Sequence, residues 1–135
     1  MDVTIQKNKI NIEELIEKTR SEKAGAIVTF QGTVRKFTDS IEVKSLFYDS
    51  YPEMAVKMIR SIMEDATNKY KILDVNVIHR IGEIGLCEDS VAICVSSQHR
   101  KEAFLACEYV IDMIKEKAPI WKKDILQSGG SKWHN

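Results

Sequence analysis

Two stretches of helical periodicity, with a pair of strand-like runs between them, limit this chain more than any other feature. Pro52 suits a first helical turn, and Ala55, Met58, Ile59, Ile62, Met63 and Ala66 recur at spacings of three and four. Residues 52–69 are therefore expected to form an amphipathic helix with a charged outer face. Ala103, Phe104, Cys107, Val110, Ile111 and Ile114 repeat that pattern from about Ser97 or Gln98 to Lys117, and Pro119 stops it. Between the two, "ILDVNVIHRIGEI" (72–84) and "DSVAICVSSQ" (89–98) read as strands joined by a turn at Gly85–Asp89. Strands come in pairs separated by helices. That order predicts an α+β fold with a mixed, mainly antiparallel sheet, not a doubly wound parallel one.

The first half completes the pattern. Asn11 and Glu14 have the spacing of a capping box, and Ile12, Leu15 and Ile16 supply an apolar stripe, so a short helix should end near Arg20 with a short strand before it. "AGAIVTFQGTVR" (24–35) is rich in β-branched residues, with Gly32 placed where a bulge or a close backbone approach is expected. "EVKSLFYDSY" (42–51) is expected as its hairpin partner across the polar loop "KFTDSI", and "IWKKDIL" should be extended. At 135 residues the chain is expected to be a single domain, 1–135.

Composition removes several functions. Lys plus Arg equals Asp plus Glu at 20 each, which gives no support to bulk binding of nucleic acid or an anionic membrane. No apolar run approaches the roughly 20 residues of a membrane span, and the N-terminus lacks the layout of a signal peptide, so a cytoplasmic protein is expected. Cys87, Cys94 and Cys107 form no C-x-x-C pair and have no clustered histidines; packing or surface roles are expected, with no metal site. The P-loop, G-x-G-x-x-G, G-x-S-x-G and H-E-x-x-H patterns do not occur, and no cofactor is expected.

What remains is local positive charge. "EKAPIWKKDIL" (116–126) places Lys117 before Pro119 and Lys122 and Lys123 after Trp121, with Lys115 one position upstream of the segment. A proline that sets the chain direction and a packed tryptophan would limit the wandering of Lys122. Crowded ammonium groups repel, which lowers the pKa of at least one from its usual value of about 10.4. For Lys117 and Lys123 a solvated helix end, where cations complement the negative C-terminus, suffices. "SSQHRKEAF" puts His99 and Arg100 at a helix start, where free N–H groups and the helix dipole favour an anion, although a capped surface turn fits equally. Arg35 can deliver a guanidinium fork at a strand end or merely decorate a loop. His79 and Arg80 fall on opposite faces of a strand, where pairing with an acid such as Glu83 is expected. The candidate anion pocket is thus Arg35, His99, Arg100, Lys115 and Lys122.

Taken together, "GAIVTFQGTVR", "YDSYPEMA", "VIHRIGEIG", "SSQHRKEAF" and "KEKAPIWKK", in this order from about residue 24 to 123, resemble the MoaE family, the large subunit of molybdopterin synthase. The resemblance implies a MoaE-like α/β hammerhead fold and a sulfurtransferase of molybdenum cofactor biosynthesis. Its substrate would be cyclic pyranopterin monophosphate (precursor Z), which gains the two dithiolene sulfurs of molybdopterin. The implied donor is a small ubiquitin-like MoaD-type subunit with a C-terminal Gly-Gly thiocarboxylate, and the implied assembly is a homodimer within a 2+2 heterotetramer. Carried over by position, Lys115 and Lys122 are the catalytic residues, and Arg35, His99, Arg100 and Lys122 bind the substrate. Two departures from the resemblance stand out: the loop after Arg35 lacks an expected glycine, and "QSGGSKW" is followed by His134 and Asn135 where the resemblance implies a basic arm that helps complete the neighbouring subunit's pocket, a role Lys132 is expected to fill only in part. A binding module that grips a ubiquitin-like tail or a phosphorylated metabolite without transforming it is the alternative. An RNA-binding role through Trp121, Lys122 and Lys123 is disfavoured by the neutral net charge.

Overall fold

A computed structural model describes residues 1–134. The element order is β1 (Val3–Gln6), α1 (Ile12–Thr19), β2 (Ala26–Thr33), β3 (Phe37–Thr38), β4 (Ile41–Ser50), α2 (Pro52–Lys69), β5 (Asp74–Arg80), β6 (Gly82–Gly85), β7 (Asp89–Ser97), α3 (Arg100–Lys117), β8 (Ile120–Leu126) and β9 (Ser131–His134). The α+β class and the three expected helices are present. The Asn11 side chain accepts from the Glu14 N–H at 3.2 Å, as the capping spacing predicts. None of the described helices is long and apolar enough to cross a membrane.

The strands form two sheets. In the first, ordered β1-β5-β7-β2, only the β1–β5 pair is parallel. Strand β7 is central and buried on both faces, which explains its continuous apolar run. Val91, Ile93 and Val95 face the main core with Ile59, Met63 and Val110 of α2 and α3, while Ala92 and Cys94 face Leu15 of α1. Cys94 and Cys107 are buried free thiols and Cys87 is exposed.

In the second sheet β4 lies between β6 and β8, β9 extends β8, and the two-residue β3 caps the start of β4. A small core of Val34, Val43, Leu46 and Ile84 holds it together.

The expected hairpin of 24–35 with 42–51 is not formed. Strand β2 instead pairs with β7, Ala26 opposite Ser97 through Thr33 opposite Asp89, because Val28 and Phe30 pack against the main core while β4 belongs to the smaller one. The bulge does fall at Gly32, where an added Cβ would lie 2.8 Å from Val91 Cγ1. The single strand expected over 72–84 is broken at Ile81, next to Gly82, whose φ of +89° turns the chain from the first sheet into the second. That turn also changes the ion pairing. His79 and Arg80 are both buried, and Arg80 bonds Glu88 at 3.0 Å and the Lys7 carbonyl, whereas Glu83 accepts from Ser45 at 2.6 Å.

The polar loop "KFTDSI" closes on itself as the β3–β4 hairpin. Its two-residue turn places Asp39 at φ 47° and Ser40 at φ 71°, the left-handed pair of a type I′ turn, in which glycine is preferred at the second position. Ser40→Gly is expected to raise stability by about 1 kcal/mol or less, measured by urea unfolding, since relief of the left-handed strain outweighs the added freedom of the unfolded chain. A lower unfolding midpoint would contradict this reading of the turn.

Candidate functional site

Lys115 and Lys122 reach one cavity because the chain reverses between them. Pro119 ends α3 and forces Ala118 into an extended conformation (φ −72°, ψ 137°). Strand β8 then zips onto β4, from Ile120 opposite Ser50 to Tyr48 opposite Lys122. Strand alternation does the rest. Lys122 and Asp124 share one face with Tyr48, Leu46 and His134, while Lys123 turns to the other face and lies over the rings of Phe47 and Trp133, at 5.1 and 5.0 Å from their centroids. Trp121 is not packed as expected: it is 42% exposed and meets Tyr51 edge-on at 5.3 Å. The register of β8, rather than burial of the indole, is what fixes Lys122.

The resulting cavity, of about 740 Å³, lies among the last turns of α3, the end of β2, the β3–β4 hairpin and the inner face of β4, β8 and β9. Arg35, Lys115 and Lys122 bring three cations to it; Asp124, Tyr48, His79 and His134 add polar groups. Lys122 is half-buried, and its ammonium is held below the usual lysine pKa first by that burial and then by Lys115, with Asp124 opposing and Arg35 adding to the effect. Crowding by a second lysine therefore contributes, but desolvation contributes more.

His79 is neutral near pH 7. Burial pushes its pKa down to about 4, partly offset by the bond from its Nδ1–H to the Arg80 carbonyl at 2.7 Å. That bond fixes the tautomer. Tyr48 stands edge-on to the imidazole at 5.1 Å, and burial raises its phenol pKa. Neither group adds charge to the cavity at neutral pH.

His99 and Arg100 do not line this cavity. His99 is the N-cap of α3 and Lys115 lies in its last turn. The helix separates them by about 24 Å at 1.5 Å per residue. The five-residue pocket read from the sequence is thus corrected: one chain joins Arg35, Lys115 and Lys122, and places His99 and Arg100 on its surface at the far end of α3. The residues missed in the sequence are Tyr48, Asp124 and His134, together with His79, which had been read as structural. Period-two counting from Lys122 reaches Asp124, but β9 carried no usable strand pattern, so nothing pointed to His134.

A two-sheet α+β fold that gathers three cations around one cavity, one of them a lysine biased toward its neutral form, defines a protein built to act on an anionic substrate. The MoaE protein family model matches residues 5–117. The chain is 53% identical over 132 residues to the molybdopterin synthase catalytic subunit of Thermoplasma volcanium, covering 98% of this chain and 96% of that one. It is 43% identical over 125 residues to the protein of the same name from Bacillus subtilis, covering 93% and 80%. Its structure is similar to the X-ray crystal structure of molybdopterin synthase from Staphylococcus aureus, with a TM-score of 0.92 at 39% identity over 97% of this chain and 95% of the other. The chain belongs to the MoaE family.

The burial of Lys122, and its crowding by Lys115, have a measurable cost. A lysine whose pKa is lower folded than unfolded binds its proton less readily in the fold, so its charge opposes folding at neutral pH, and that opposition fades as pH rises through the folded pKa toward about 10.4. Lys122→Gln is therefore expected to raise the urea midpoint at pH 7, with the gain shrinking toward pH 10. A lower midpoint at pH 7 would show that the ammonium is held by favourable partners instead.

Proposed function

We propose that this chain is the catalytic subunit of a molybdopterin synthase and acts as a sulfurtransferase. It would move sulfur from the C-terminal thiocarboxylate of a small ubiquitin-like MoaD-type subunit to cyclic pyranopterin monophosphate. Family membership, and the shared name of relatives similar along nearly the whole chain, support the reading. The observation that carries it is the convergence of Lys115 from α3, Lys122 from β8 and Arg35 from the segment after β2 on one cavity. A cyclic phosphate and a thiocarboxylate tail are both anions, and bringing them together requires cations that offset their repulsion. In this scheme Lys115 neighbours the terminal carbonyl of the tail, Arg35 binds phosphate, and Lys122 binds the pterin and moves protons as the phosphate ester opens and sulfur adds. A lysine held partly toward its neutral form is suited to that exchange.

The expected homodimer accounts for His99 and Arg100. One chain holds them about 24 Å from Lys115 along α3, so a substrate-binding role requires a second copy to present its own pair at this cavity. The two cores border one cavity that draws on both sheets, which supports treating the chain as a single domain.

The test is reconstitution: the purified chain, a thiocarboxylated small subunit and cyclic pyranopterin monophosphate, with molybdopterin read as its fluorescent oxidised derivative. The native chain is expected to form product, and Lys122→Ala to lose at least about 100-fold in rate. Binding of the small subunit without product would identify a binding module. Mixing inactive Lys122→Ala with inactive Arg100→Ala should restore roughly a quarter of native activity if each site draws on both copies of a two-fold dimer, because half the dimers then carry one intact site. No recovery would place Arg100 outside the site.

A further inference from the structure

His134 is the second histidine that lines this cavity, and unlike His79 it is paired with a carboxylate. Its Nε2 lies 2.6 Å from Oδ2 of Asp124, a carboxylate whose residue is only 3% exposed. A buried carboxylate is costly unless it is paired, and His134 is its only ion-pair partner among the described residues. Both residues sit beside Lys122. His134 is its direct cross-strand partner on β9 and Asp124 is two positions along β8, so all three side chains share one sheet face and line one cavity.

We propose that Asp124 is shared between His134 and Lys122, so that the protonation state of His134 sets how much negative charge is left to hold Lys122 as a cation. Asp124 and His134 are on this account positioning residues that act through Lys122. When His134 is protonated, its charge is matched by Asp124, and Lys122 faces Lys115 and Arg35 with little compensation. When His134 is neutral, the Asp124 charge is available to stabilise the Lys122 ammonium. Asp124, two positions from Lys122 on the same face of β8, opposes the lowering of the Lys122 pKa by burial and by Lys115.

The other titratable and charged groups around the trio do not substitute for it. Lys115 comes from α3, Arg35 from the segment between β2 and β3, and Asp39 from the β3–β4 turn; Tyr48 on β4 and His79 on β5 are uncharged near pH 7, the latter with a pKa of about 4. Lys132 on β9 is opposite Asp124 in register but exposed, without a salt bridge to it. Of the groups around Lys122, His134 is therefore the one in ion-pair contact with Asp124.

The chain has three histidines, which makes the test direct. Imidazole resonances are followed against pH by NMR in the native chain, with His134→Gln to assign the resonance of His134. Lys122→Gln removes the competing cation and is expected to move the His134 midpoint up; Asp124→Asn removes the shared anion and should move it down, each by about half a unit or more. Should Asp124→Asn fail to fold, Lys122→Gln decides alone. A midpoint that Lys122→Gln leaves in place, or that both variants move in the same direction, overturns the proposal.

That arm needs no turnover, so it stands or falls separately from the sulfur-transfer reading. A second arm rests on that reading. His134→Gln keeps an N–H donor for Asp124 but cannot titrate, and should abolish a limb of the kcat pH profile that follows the His134 midpoint in the native enzyme. An unchanged profile counts against the proposal; a native chain without activity removes the sulfur-transfer reading and leaves the NMR result intact.

Discussion

The antiparallel pairing of β8 with β4 is the constraint on which the rest of the structure depends. It takes a chain that has just left α3 and lays it across the second sheet, with Ile120 opposite Ser50 and Lys122 opposite Tyr48. A slip of one residue would turn Lys122 and Asp124 outward and bring Lys123 in, since side chains alternate with a period of two. Contacts on both faces oppose such a slip. Lys123 is held over Phe47 and Trp133 on the outside, while Asp124 is buried against His134 on the inside. Two adjacent lysines that look equivalent in the sequence thereby acquire different environments.

That pairing also explains why the cavity lies where two sheets and a helix end meet. The first sheet, with α2 and α3 on one face and α1 on the other, provides a rigid frame whose helix ends at Pro119. The second sheet brings the polar face of β4, β8 and β9 up to that end. Cations brought from separate elements repel, and folding must hold them together against that repulsion. The lowered pKa of Lys122 reflects first its burial and then this repulsion from Lys115 and Arg35. Stability sacrificed in this way is expected where a site must receive charge that the free protein does not contain.

Much of this was legible in the sequence, and the parts that were not share a physical reason. Helices α2 and α3 announced themselves through apolar spacing, with Pro52 at the start of one and Pro119 just past the end of the other, and these are local properties. Strand partners are not local. β2 prefers β7 over the nearer β4 because of which core its inward residues join, and Gly82 breaks β5 from β6 by a backbone angle that composition does not reveal. The site divides in the same manner. Lys115, Lys122 and Arg35 line one cavity, whereas grouping His99 and Arg100 with them in one chain overlooked a length already written in the sequence, since a helix of that span cannot bring its two ends together. His134 was hidden because β9 is four residues long, exposed over most of its length and marked only by the preceding Gly129 and Gly130, whose φ values of 94° and 83° turn the chain back.

On the function proposed above, the anions of the reaction would meet at the cavity between Lys115 and Lys122. The most direct measurement is protection from amine acylation, read at each lysine by mass spectrometry, with and without the thiocarboxylated small subunit and cyclic pyranopterin monophosphate. Lys115 and Lys122 should be shielded when both are present, while Lys117, exposed on α3, and Lys123, on the opposite face of β8, should remain as reactive as in the free chain. Lys115 and Lys122 that stay fully reactive while the small subunit is demonstrably bound would contradict the account.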